Sequence, residues 1–114
     1  MAAREPQRFD VFLVPLDPAR GHEMQKTRPC VVVSPGQLNR YLRTVLVAPL
    51  TSVPRNYPFR VDSRFGGRPG QVALDQIRCV DRSRLAKFLG QLDPAVQTKV
   101  ADTMVAIFAR ERPH

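Results

Sequence analysis

The sequence predicts a mainly β fold, a small barrel of about seven strands with one α-helix packed on it at the carboxyl end. Three observations lead there. Short apolar runs rich in β-branched and aromatic residues recur through the first 92 positions, each too short for a typical helix. The 11 prolines and 6 glycines stand between these runs as punctuation, with no linker, repeat or low-complexity tract. After Asp93 the apolar period becomes helical.

Phe9–Val14, Pro29–Val33 and Thr44–Ala48 read as buried strands. Tyr57–Val61, Gly70–Leu74, Gln76–Val80 and the weaker Ala86–Leu89 complete the set, and Gly66-Gly67 marks a turn. The helix starts at Asp93, an N-cap acceptor ahead of Pro94 in the first helical position. Val96, Val100, Met104, Ile107 and Phe108 then recur at helical spacing to about residue 110, with Gln97, Lys99, Asp102 and Arg110 turned away. That stripe needs a surface to cover, so its Met and Phe read as core.

A chain of 114 residues is expected to form one domain, 1–114, burying roughly two-thirds of its unfolded surface. With 43% hydrophobic and 25% charged residues, it has no run near the roughly 18 apolar residues of a membrane span, so no membrane partner is expected. The amino terminus shows neither an apolar signal core nor an amphipathic targeting helix, which makes the cytoplasm the expected location. Cys30 and Cys79 each lie in an apolar run and read as buried thiols. Together with the widely separated His22 and His114 they give none of the close spacings of a zinc site, so neither metal nor cofactor is expected.

Charge narrows the partners. Eighteen Lys and Arg against 10 Asp and Glu leave +8, and 15 of the 18 cations are arginine. Arginine presents a planar fork of donors that fits phosphate bidentately, so a polyanion is the natural partner, although solvated surface arginines would give the same total. The longest connection, residues 17–28, concentrates the chemistry: Arg20, His22, Glu23, Lys26 and Arg28 fall within nine positions.

If the polyanion is RNA, cleavage by its own 2′-hydroxyl needs a proton acceptor, a proton donor for the 5′-oxygen and a fixed cation for the phosphorane charge. Glu23 and Asp75 are candidate acceptors, His22 is a candidate for proton exchange, Arg28 is the candidate cation, and Thr51 or Ser52 is a candidate to orient a phosphate. Each has a plainer reading as well. Arg28 precedes Pro29 at a strand entrance, Thr51 and Ser52 suit a turn, and the acidic groups suit surface pairing.

The stretch Leu16–Pro29, with Pro49-Leu50-Thr51-Ser52, Tyr57-Pro58-Phe59 and Leu74-Asp75-Gln76-Ile77-Arg78, resembles the MazF/PemK family of toxin endoribonucleases in order and spacing, from about Phe9 to Leu92. The resemblance implies an SH3-like β-barrel working as a homodimer and cutting single-stranded RNA at short sequences without metal. It also implies a cognate antitoxin whose acidic, flexible segment lies across the toxin, with DNA contacted only through that antitoxin. By position, Arg28 matches the family's catalytic arginine and Thr51 its active-site threonine. Glu23 and Gln25 match the loop pattern, His22 a histidine of the PemK-like branch, and Asp75 the acidic member of the D-Q pair. That branch also has a catalytic arginine two residues before the aspartate, where this chain has Ala73, so weight shifts to Arg28 and Thr51.

As phosphorane stabiliser Arg28 leaves the base among Glu23, His22 and Asp75. Gln25, Lys26, Ser52, Gln76, Arg78, Arg82 and Arg84 are candidates for holding RNA, with Phe65 or Tyr57 able to stack a base. Two alternatives are a non-catalytic toxin of the same barrel that inhibits DNA gyrase, as CcdB relatives do, and an inactive RNA-binding module. The first resembles this chain less, because its target contact uses a tryptophan near the end of the terminal helix and this sequence has none.

Overall fold

A computed structural model describes residues 4–111, so His114 lies outside the described residues. Seven strands appear in the expected order: β1 (Asp10–Pro15), β2 (Thr27–Val32), β3 (Thr44–Thr51), β4 (Arg60–Phe65), β5 (Arg68–Ala73), β6 (Arg78–Asp81) and β7 (Lys87–Gln91). They form one antiparallel sheet in the order β4-β5-β3-β2-β1-β7, with β6 also paired to β3, curled into a half-barrel.

Side-chain alternation explains why the first three strands read as unbroken apolar runs. Val11, Val31 and Ala48 point into one apolar cluster, whereas Phe12, Val14, Cys30, Val32, Val45 and Val47 point into a second on the opposite face. A sheet apolar on both faces needs a cover, and α2 (Pro94–Phe108) supplies it for the first cluster through Val96, Val100, Met104 and Ile107. No helix among the described residues is long and apolar enough to cross a membrane.

Several local expectations are corrected. Phe108 is 75% exposed, because the stripe outruns the surface it covers. Asp93 sits at the N-cap without a side-chain bond; instead Gln97, expected to face away, donates its Nε2 hydrogen to the Leu92 carbonyl at 2.7 Å. Cys30 is buried but Cys79 is exposed. A short helix, α1 (Gly36–Asn39), was not anticipated; Asn39 is buried there and bonded to Ser34 and the Pro6 carbonyl.

Most strand boundaries shift by one to three residues from those expected, and two of the shifts shape the site. β4 begins at Arg60 rather than Tyr57, since Phe59 has a φ of 66°, a left-handed value that no strand continues through. β6 begins at Arg78 because Leu74–Gln76 folds into a 3₁₀ turn. β5 and β6 run one after the other along β3, with Val72 opposite Leu50 and Arg78 opposite Val47. Residues 73–77 therefore face only Ala48 and Pro49, and this surplus of chain, beside a proline that cannot donate to the ladder, lifts Asp75 and Gln76 out of the sheet.

Candidate active site

β2 starts where its neighbour β3 ends, and this antiparallel pairing brings Arg28 and Thr51 to one end of the sheet. They line a cleft of about 360 Å³ with Lys26, Ser52, Ser63 and Phe65. Arg28 donates from Nε to the Gln25 carbonyl at 3.0 Å, which steers the guanidinium and leaves its Nη groups for a ligand. Thr51 is 5% exposed and its Oγ1 accepts from the Val53 N–H at 3.1 Å. That is the turn-supporting bond expected of such a residue, and it leaves the hydroxyl hydrogen to donate elsewhere. Ser63 Oγ is buried without a partner among the described residues.

A second hollow of about 330 Å³ gathers His22, Glu23, Asp75, Gln76 and Arg78 around Pro49. Pro49 lines this hollow and the next residue along β3, Leu50, lines the first. The 17–28 connection is anchored over it. The Met24 N–H donates to Gln76 Oε1 at 3.1 Å, the Lys26 N–H to Asp17 Oδ1 at 3.0 Å, and Glu23 accepts from the Arg20 N–H through Oε1. Lys26 itself adopts a left-handed φ of 69°. Arg78 donates to the Leu16 carbonyl at 2.9 Å, tying β6 to the start of the same connection.

Asp75 has a partner that no local pattern announced. Arg60 Nε donates to its Oδ1 and Nη2 to its Oδ2, the second bond at 3.2 Å. The Arg60 side chain is only 4% exposed, lies 5.0 Å from the centre of the Tyr57 ring, and is weakly bonded to Gln71 Oε1 at 3.4 Å. Arg60 stands directly opposite Ala73 in the β4–β5 ladder, so the arginine lacking at position 73 is matched by one from the adjacent strand. Burial alone would raise the Asp75 carboxyl, but bonds from Arg60 and Gln76 and the Arg60 charge outweigh it and hold the group below its ordinary value. A signal existed in hindsight: an arginine at a strand start, across from a small residue two before an aspartate.

The remaining candidates are dispersed. Arg82 donates to the Asn39 carbonyl at 2.9 Å and lines a separate depression with Arg4 and Arg43, while Arg84 is bonded to the Asp17 carbonyl. Gln25 is exposed beside the first cleft and contributes its carbonyl to Arg28. Tyr57 meets Arg60 with its ring, whereas Phe65 lines the first cleft. Among the described residues no three His, Cys, Asp or Glu side chains gather as a metal site would require.

A sequence model described as PemK-like, MazF-like toxin of type II toxin-antitoxin system matches residues 7–108. The chain belongs to that family. The endoribonuclease PemK of Escherichia coli is 35% identical to this PemK/MazF-type chain over 107 residues, 89% of this chain and 80% of the relative. MazF from Deinococcus radiodurans superposes with a TM-score of 0.81 at 28% identity, over 95% of this chain and 100% of that one. The MazE–MazF complex of the same organism gives 0.73 at 25% identity, over 95% and 100%. The PemK/MazF half-barrel with its closing helix is thus the fold of this chain, and the match is to this toxin family rather than to a gyrase-inhibiting one.

Proposed function

We propose that this PemK/MazF family member is the toxin of a type II toxin-antitoxin pair and cleaves single-stranded RNA, using side chains alone. The observation that carries this reading is the meeting of Arg28 and Thr51 in one cleft, with His22, Glu23 and Asp75 gathered in a second hollow. A scissile phosphate in the first cleft would take hydrogen bonds from the Arg28 Nη groups and the Thr51 hydroxyl. Both strengthen as charge builds on the non-bridging oxygens, which is the differential binding that accelerates a reaction.

In the step itself the 2′-oxygen attacks phosphorus and the bond to the 5′-oxygen breaks. The 2′-hydroxyl proton passes to a group in the second hollow, and that group, now protonated, returns a proton to the departing 5′-oxygen. The products are a 2′,3′-cyclic phosphate and a 5′-hydroxyl. Arg28 serves as the fixed cation, so the proton acceptor comes from the second hollow. The +8 net charge suits both RNA and an acidic antitoxin segment, each drawn to the same cationic surface. In this reading the protein is a cytoplasmic homodimer that meets DNA only through its antitoxin.

The test is incubation of purified protein with total RNA in EDTA, followed by mapping of the new ends. Cuts at a short recurring sequence with 5′-hydroxyl ends are expected. Intact RNA, or cutting that requires added metal, overturns the proposal.

A further inference from the structure

We infer that Arg60 is a positioning residue for the cleavage reaction: it grips both oxygens of Asp75 and holds that carboxylate as a fixed hydrogen-bond acceptor at the wall of the His22–Glu23 hollow. The inference rests on the reading of the site as an RNA-cleaving centre, and names a residue that the site motifs do not contain.

Four observations support it. First, Arg60 is almost wholly withdrawn from water, at 4% side-chain exposure, while Asp75 is 29% exposed and lines the hollow. A cation so buried does not reach an RNA phosphate, so its effect on substrate passes through the carboxylate it holds. Second, the grip is two-pronged, with Nε and Nη2 each taking one oxygen, which fixes the orientation of the carboxylate plane as well as its position. Third, Arg60 is itself braced by the Tyr57 ring at 5.0 Å and by Gln71, whose amide is bonded in turn to Asp62 at 3.2 Å. Fourth, β4 and β5 are already paired along six positions, from Arg60–Ala73 to Phe65–Arg68, so the hairpin has its own ladder apart from this ion pair.

The pairing also separates roles that composition left merged. An Asp75 carboxylate with both oxygens engaged by a guanidinium is a poor proton acceptor and a good fixed acceptor. Proton removal then falls to Glu23 or His22 across the hollow, and Asp75 orients an N–H or O–H donor, from the imidazole or from the RNA.

The experiment compares wild type, Arg60→Met, Arg60→Lys, Asp75→Asn and the Arg60→Met/Asp75→Asn double variant in steady-state cleavage of one RNA, well below every melting temperature. If Arg60 acts through Asp75, Arg60→Met lowers kcat roughly tenfold to a hundredfold with KM within about twofold. Arg60→Lys, a cation without the fork, retains more kcat than Arg60→Met. The double variant cuts no more slowly than the slower single one, because the two changes remove one device. Losses that multiply, or a kcat unchanged in Arg60→Met, overturn the inference while leaving the nuclease reading intact. Absence of cutting by wild type overturns that reading itself. Should Arg60→Met fail to fold, Arg60→Lys decides: wild-type kcat with its weakened grip overturns the inference, and a lowered kcat that Asp75→Asn does not lower further supports it.

Discussion

The Met24 N–H donates to Gln76 Oε1 at 3.1 Å, a bond between residues 52 apart in sequence that fastens the loop bearing His22 and Glu23 onto the turn bearing Asp75. One amide side chain therefore links the two sides of the second hollow directly. Gln76→Ala should leave the fold in place and lower cleavage by about tenfold, since displacing reacting groups is costly even without loss of any of them. Amide hydrogen exchange over residues 20–25 should quicken in the same variant. Unaltered exchange and rate would show that the loop is held by its other bonds.

The Arg28 side chain makes one hydrogen bond, to the Gln25 carbonyl, so truncating it should have little structural consequence. Arg28→Ala is expected to lose about 3 kcal/mol of transition-state stabilisation, a hundredfold or more in kcat/KM, with an unchanged melting curve. Thr51 differs, because its Oγ1 also supports the Val53 N–H. Thr51→Ala should lose activity and about 1 kcal/mol of stability, whereas Thr51→Ser should keep most of both. Paired kinetics and thermal melts of the three variants check this contrast.

Gly70 forms part of the floor of the first cleft for a steric reason. A Cβ built there lies 2.6 Å from the Thr51 carbonyl oxygen, a backbone atom that cannot swing aside. Gly70→Ala should push β5 from the end of β3, costing about 1–3 kcal/mol and distorting the cleft around Thr51. Urea unfolding and RNA binding should both weaken. An alanine variant of native stability would mean that the two strands separate freely at this point.

Asp75 titrates below its ordinary value in the folded protein, so it contributes stability at neutral pH. That contribution is present above the unfolded carboxyl value and is lost as pH falls through the depressed folded value. The unfolding free energies of wild type and Asp75→Asn should therefore differ at pH 7 and converge as pH drops below about 4. Urea titrations at a series of pH values measure this, and a constant gap would locate the difference elsewhere.

The two thiols should separate cleanly in a labelling experiment. Cys79 is exposed, whereas Cys30 is buried and burial pushes its thiol up to about 12, with Arg78 and Arg28 only partly opposing. A thiol reagent at neutral pH should modify Cys79 in the native protein and reach Cys30 only on unfolding. Mass mapping of the labelled peptides distinguishes them.

Much of this molecule is determined locally. Runs such as Val31–Val33 and Val45–Val47 specify strands because β-branched side chains suit a pleated surface, and Pro94 after Asp93 starts a helix through its fixed φ. Motif order likewise places Arg28, Thr51, His22, Glu23 and Asp75 among the site candidates before any fold is known. What only the tertiary structure decides is which of them meet, and with what. Asp75 belongs to Arg60 because β4 lies beside β5 with Arg60 opposite Ala73, a register set by turn and packing over the whole hairpin. Arg82 leaves the group because its guanidinium is taken by the Asn39 carbonyl, and Cys79 is exposed although its neighbour Val80 is buried. Local propensity depends on a residue's own backbone, whereas pairing and burial depend on which strands come together and in what register, and neighbouring residues along the chain do not specify that.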